Sequence, residues 1–223
     1  MSPGYQFVDR LRLHDPHHGG LIIFFRSIFR YKKITLPLVT AFEVLAVKLK
    51  INELDYILLA IYRPGSEQLT TSFFDELISV LECVTIISSR ILLAGDFNIH
   101  TEKSNNPNVV NLREIFEMFQ LINHIDEPTH ILGGTLDLIV TSHNIAVSEA
   151  KVYPSGIYSD HGLVQAFKHF THSKHSVHMV SEASNYSTSP NHSSSYASNM
   201  QLPPGLVLPR NNNFSSYNLS SKN

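Results

Sequence analysis

In this 223-residue chain, the side chains best suited to chemistry stand at the ends of apolar runs. Ile91-Leu92-Leu93-Ala94-Gly95-Asp96-Phe97-Asn98 is strand-like and closes on a glycine, a carboxylate and, two residues on, a carboxamide. Gly95 permits a tight turn or a close backbone approach, and an acid at a strand's carboxyl end projects where layered folds keep their chemistry. Thr135-Leu136-Asp137-Leu138-Ile139 sets a second acid between leucines, with no basic neighbour in sequence. A carboxylate so placed is costly without a partner, and the economical partner is the imidazole of Ser159-Asp160-His161-Gly162. Asp137 accepting from one ring nitrogen would fix the tautomer of His161 and raise its basicity. The resulting imidazolium could stabilise negative charge developing on a phosphate. Asp96 is then left to orient or deprotonate a water, with Asn98 donating amide hydrogens to a phosphate oxygen. Tyr62, just before Arg63-Pro64, could present a phenol to the same group. Such a set suits hydrolysis of a phosphoester or phosphodiester assisted by a hard cation such as Mg²⁺.

Each of these residues alone has an ordinary reading. Gly-Asp is a common turn pair, a strand-end tyrosine is commonly a half-buried aromatic, and a lone histidine is commonly structural. A Ser-His-Asp hydrolase is not supported, because no Gly-x-Ser-x-Gly elbow is present. The basic set Arg26, Arg30, Lys32 and Lys33 could touch a nucleic-acid backbone or be a solvated loop.

The elements that must position these groups follow from periodicity. Strands are expected near 6–13, 20–25, 33–36, 42–50 and 56–62, after which Arg63-Pro64-Gly65 breaks the sheet. Leu69, Phe73, Leu77, Leu81 and Val84 recur at helical spacing, predicting an amphipathic helix from Glu67 to about Val84. A strand over 91–94 follows, then a helix marked by Leu112, Ile115, Phe116 and Phe119, with Asn106-Pro107 suited to its start. Further strands are expected near 122–125, 135–141, 146–152 and 162–167. Strands outnumber helices, which fits an α+β fold with a two-layer sandwich and helices on its outer faces.

Composition divides the chain at about residue 168. Residues 1–168 read as one domain, and residues 169–223 as a disordered tail in which Ser, Asn, His and Pro dominate. Such a segment cannot bury enough apolar surface to offset its conformational entropy. His169, His172, His175 and His178 belong to that compositional bias rather than to a metal site, and the Asn-x-Ser triplets at Asn185, Asn191, Asn213 and Asn218 to chance. A formal net charge of −2 gives no whole-chain electrostatic footprint for nucleic acid, although a local basic rim needs none. One cysteine, Cys83, excludes an internal disulfide and fits a reducing compartment. The first twenty residues hold no apolar signal core, and the longest apolar runs are strand-sized, so a soluble chain without a membrane span is expected.

The ordered motifs Tyr62-Arg63-Pro64, Gly95-Asp96-Phe97-Asn98, Thr135-Leu136-Asp137-Leu138-Ile139 and Ser159-Asp160-His161 resemble the endonuclease/exonuclease/phosphatase superfamily, with the closest likeness to endonuclease domains of non-LTR retrotransposons. His18-Gly19-Gly20-Leu21-Ile22-Ile23-Phe24 looks like the glycine-rich start of a strand common in that group, as does Phe42-Glu43-Val44-Leu45, and the likeness spans about Gly4 to Lys168. The resemblance implies a four-layer α/β/β/α sandwich. It implies Asp96 as the acid handling the nucleophilic water, Asn98 and Tyr62 on the phosphate, Asp137 orienting His161, and His161 stabilising the transition state. Asp160 and Asp96 would serve the metal, Mg²⁺ or alternatively Mn²⁺, with Thr135 and Ser159 in support. It further implies DNA as substrate, DNA nicking as activity and an intracellular, nuclear setting, with no protein partner indicated.

The family's catalytic asparagine and metal-ligating glutamate precede the glycine-rich segment, and this chain starts after them; Glu43 lies in a later, structural strand. The resemblance therefore implies a fold incomplete at its N-terminus, weak cation binding and impaired activity. Two alternatives stand beside a nicking endonuclease: another phosphoesterase of the superfamily, and a non-catalytic scaffold.

Overall fold

A computed structural model describes residues 4–11, 20–157, 159–169 and 176–181. Its centre is a six-stranded sheet built from β3 (Arg30–Lys33), β4 (Glu43–Ile51), β5 (Leu54–Tyr62), β6 (Ile91–Asp96), β7 (Leu121–Asn123) and β8 (Asp137–Ser142). The spatial order is β3-β4-β5-β6-β8-β7, and within it only β5 and β6 run parallel. The crossover between those two is α1 (Thr71–Ile87), and α2 (Pro107–Met118) follows β6. Two smaller sheets form the second layer: β1 (Tyr5–Leu11) with β2 (Gly20–Arg26), and β9 (Glu149–Val152) with β10 (Val164–His169) and β11 (Ser176–Ser181).

The central strands are nearly continuous apolar runs because both faces of this sheet are buried. Alternation still sorts them. Val44, Ala46, Ile57, Leu59, Ile61, Leu93, Leu138 and Val140 meet the helices through Phe73, Leu77, Leu81, Val84, Leu112 and Ile115. Leu45, Val47, Leu49, Tyr56, Leu58, Leu92 and Ile139 meet Val8, Ile23, Phe25, Val164 and Ala166 of the second layer. The expected α+β sandwich is therefore present. Both described helices cover the same outer face, that of the six-stranded sheet; the outer face of the second layer carries none among the described residues.

Several boundaries differ from those read in the sequence, each for a local reason. The first helix begins at Thr71, not Glu67, because residues 64–67 form a turn in which Pro64 and Glu67 give their carbonyls to the Arg63 guanidinium. It also runs past Val84, leaving Ile86 exposed on its last turn. The strand expected over 33–36 lies earlier, at Arg30–Lys33; Ile34 and Leu36 pack on the helix-side core without joining a strand. The second helix starts where Asn106-Pro107 predicts, with the Asn106 side chain accepting from the Asn108 N–H at 2.9 Å. Strand β11 lies within the segment expected to be a tail and pairs along β10; residues 170–175 and 182–223 lie outside the described residues. His18 and Gly19 of the glycine-rich segment also lie outside them. No described helix is long and apolar enough to cross a membrane.

Candidate active site

The sheet lines up three of the expected residues in one cross-strand row. Tyr62 ends β5 and pairs with Asp96 at the end of β6, and Asp96 pairs in turn with Asp137 at the start of β8. Glu43 extends the row by pairing with Tyr62. The parallel β5–β6 pair brings two carboxyl ends to one edge, and the antiparallel β8 brings an amino end to it. Since Ile61 and Leu138 face the helices, their neighbours Tyr62 and Asp137 face the second layer, and Asp96 shares that face with Ala94. His161 arrives from that layer just before β10, held by a bridge to His130.

His161 Nδ1 lies 2.7 Å from Asp137 Oδ2, with side chains 2% and 0% exposed. Burial alone would lower the imidazole; the hydrogen bond and charge of Asp137, then the charges of Asp96 and Asp160, outweigh it and hold it above its ordinary value. The second oxygen of Asp137, Oδ1, is buried and finds no hydrogen-bond partner among the described residues. Asp96 is pushed up to about 7, first by burial and then by the charge of Asp137, against the opposing effects of His161, the Asn98 N–H and Arg63. Asp96 thus sits where a general base works near neutral pH.

Asn98 takes a role different from the expected one. Its backbone sits in the left-handed region at φ 48°, a conformation asparagine tolerates. Its N–H donates to Asp96 Oδ1 at 2.8 Å, and its Nδ2 donates both to Asp96 Oδ2 at 2.7 Å and to the Arg63 carbonyl at 2.8 Å. Both amide hydrogens are committed inside the protein, so Asn98 holds Asp96 rather than offering them outward. Ser159 sets the turn before His161, its Oγ accepting from the His161 N–H at 3.1 Å and donating to the His161 carbonyl at 3.0 Å. Thr135 anchors a loop instead of reaching the site: its hydroxyl donates to the Glu127 carbonyl at 3.0 Å.

Asp160 lies at the rim with its side chain 36% exposed, its Oδ2 3.5 Å from His130 Nε2. Potential metal-ligating atoms gather in two groups among the described residues, Asp96–Asp137–His161 and His130–Asp160–His161, each within 4.8 Å. Asp96 and Asp160, expected to share a metal, therefore fall in separate groups joined by His161. In the second group the Leu132 N–H donates to His130 Nδ1 at 3.1 Å, so the neutral ring carries its hydrogen on Nε2, the nitrogen a cation would need. The first group fits a divalent cation better. A buried carboxylate oxygen without a partner, beside an acid whose ionisation is suppressed, is the charge imbalance such an ion relieves.

Three contributors were given no role of their own from the sequence. Thr129 is fully buried, and its hydroxyl accepts from the N–H groups of Leu136 and Asp137 at 2.9 and 3.0 Å, setting the start of β8. His130 packs edge-on against the His161 ring, with centroids 4.9 Å apart. Arg63 is buried among carbonyls. Arg63 stood only as a member of the Tyr62-Arg63-Pro64 motif, and Pro128-Thr129-His130 by itself reads as turn chemistry. The basic set lies elsewhere: Arg30, Lys32 and Lys33 pair with the half of β4 remote from Glu43.

Residues 56–165 match a family model described as endonuclease-reverse transcriptase. No curated protein matches the chain. Among solved structures, the endonuclease domain of TRAS1, a telomere-specific non-LTR retrotransposon, aligns with a TM-score of 0.58 at 14% identity, covering 71% of this chain and 76% of that one. The 3′ phosphatase NExo from Neisseria, in a variant form bound to a product DNA hairpin, aligns at 0.56 and 17% identity over 75% and 80% of the two chains. The human Nocturnin catalytic domain with a bound sulfate aligns at 0.55 and 20% identity over 73% and 71%. The chain thus has the fold of the endonuclease/exonuclease/phosphatase proteins and is similar, over residues 56–165, to the endonuclease-reverse transcriptase family.

Proposed function

We propose that this chain is a phosphodiester hydrolase acting on DNA, a nicking endonuclease of retrotransposon type. The observation that carries the reading is the buried Asp137–His161 pair set beside an acid poised near neutral pH. In this reading Asp96 takes a proton from a water that attacks phosphorus, and Asn98 fixes the orientation of the acid. His161, kept protonated by Asp137, donates to the phosphate as negative charge grows and the strand's sugar oxygen leaves. Tyr62 stands next to Asp96 in the sheet, where its phenol could meet the same phosphate. Asp96 and Asp137 would hold a divalent cation, Mg²⁺ or Mn²⁺, with Asp160 at the rim. The cation would supply charge neutralisation and a more acidic water. DNA as substrate is supported by the DNA hairpin in the Neisseria protein and by the retrotransposon source of the TRAS1 domain.

A second reading, a non-catalytic scaffold, is favoured by two observations: the reacting groups are almost fully enclosed, and the Asn98 hydrogens are already used. Purified chain incubated with supercoiled plasmid and Mn²⁺ separates the two. Slow nicking that disappears in His161→Ala supports the hydrolase. Intact plasmid, together with no Mn²⁺ site in a calorimetric titration, would leave the scaffold.

A further inference from the structure

We infer that Arg63 is the positioning residue for Asn98, and through Asn98 for Asp96. Arg63 is 5% exposed, and its guanidinium donates along its whole fork to main-chain carbonyls: Nε to Phe97 at 2.7 Å, Nη2 to Asn98 at 2.6 Å, and Nη1 to Glu67 and Pro64 at 2.9 and 3.1 Å. It thereby stitches the turn after β5 to the turn after β6. The Arg63 backbone closes the clamp from the other side. Its N–H donates to the Asp96 carbonyl at 2.9 Å, and its carbonyl accepts from Asn98 Nδ2 at 2.8 Å. Gly65 completes the mould, since a Cβ there would stand 2.7 Å from Asn98 Oδ1. The Asn98 carboxamide is gripped on three sides, and its remaining hydrogen points at Asp96 Oδ2.

A buried cation is expensive, and a surface turn does not need one. Carbonyls on two different turns, facing one planar fork, explain why arginine stands here; lysine has the charge but not the geometry. This assignment deepens the hydrolase reading and rests on Asp96 being the group that handles water. Among the described residues, Asn98 is the link through which the clamp reaches the acid's side chain by hydrogen bonds.

The test uses the full ¹⁵N-labelled chain and two variants that disturb the clamp in different ways. Arg63→Lys keeps the charge and loses the fork; Gly65→Ala keeps the fork and pushes on Asn98 Oδ1. Exchange of the Asn98 Nδ2 hydrogens with water is followed by NMR, those resonances being assigned by their loss in Asn98→Asp. Backbone amides of α1 and α2 serve as the reference. We expect exchange at Asn98 to accelerate by about tenfold in both variants, the loss of roughly one hydrogen bond, while the helices keep their protection. Hydrolysis, where measured, should lose kcat with KM unchanged. Unaltered Asn98 exchange, or acceleration shared by the helices, would overturn the assignment. If Arg63→Lys does not fold, Arg63→Gln, which keeps one side-chain donor group and loses the rest of the fork, decides it in its place. Failure of the wild type to nick DNA would remove the hydrolase reading and leave the NMR result standing.

Discussion

At His161, a short hydrogen bond to Asp137 and the charges of the surrounding acids set the titration of the ring. In Asp137→Asn the effects that raise His161 weaken and burial, which lowers it, takes over. The His161 ring should therefore titrate above 6.5 in the wild type and below the wild-type value in Asp137→Asn, as read by ¹H–¹³C NMR; equal values would contradict the pairing. Thr129 offers a second measurement. Thr129→Val keeps the shape but strands two buried N–H groups, so urea unfolding should show a loss of about 2 kcal/mol, most of it recovered in Thr129→Ser. Asp96, Asp137 and His161 could be read from sequence because a charge at the end of, or inside, an apolar run has few uses. The roles of Thr129, His130 and Arg63 could not, because they depend on how the chain folds back: a hydroxyl under two N–H groups seven and eight residues on, a ring against His161, and a guanidinium on carbonyls of the next strand's turn. Asn98 was legible as a site residue and not in its role, which depends on the Arg63 carbonyl beside it.

The elements were legible wherever a period ran long enough. Of the buried positions of α1, its spacing named Phe73, Leu77, Leu81 and Val84 but not Phe74 and Val80, and Leu69 lies before its first turn. Its start was not legible, because nothing in Glu67-Gln68 announces that Arg63 holds the preceding carbonyls. The edge strand β3 was displaced by a few residues since its four positions are all exposed and show no alternation. β11 was not read, since its short apolar run, Val177, Met179 and Val180, stands within a Ser-, Asn- and His-rich segment that shows no sustained period. Where an element does carry a site residue, its backbone is exacting. A side chain at Gly95 would run into the Ile61 backbone, forcing β6 away from β5 at the point where Asp96 is aimed. Gly95→Ala should lower stability by roughly 2 kcal/mol or more in urea unfolding, and a neutral result would mean that the strands part cheaply there.

For the whole molecule, the site makes stability depend on pH. Asp96 ionises near 3.8 when unfolded and near 7 when folded, so stability falls between those values and the loss persists above them. His161 is raised on folding; its contribution is present below 6.5 and is lost as pH climbs through its folded value. Both act in one direction. The Tm should be lower at pH 8.5 than at pH 5.5 by circular dichroism, and an Asp96→Ala/His161→Ala double variant should flatten that difference. Mn²⁺ should raise Tm more at pH 8.5 than at pH 5.5, because protons compete for Asp96 at the lower pH; a larger gain at pH 5.5 would count against cation binding at this acid. The polar row across the sheet has a consequence for folding as well. Slipping β8 by one position against β6 would put Leu138 opposite Asp96 and turn Asp137 toward the helix-side core among Phe97, Leu112 and Phe116. An unpaired charge there costs several kcal/mol, far more than the slipped ladder could return in apolar contact. Four strand ends, from Glu43 to Asp137, are thus keyed to one alignment, and the residues that would handle phosphate also act as a proofreading mark for strand registry.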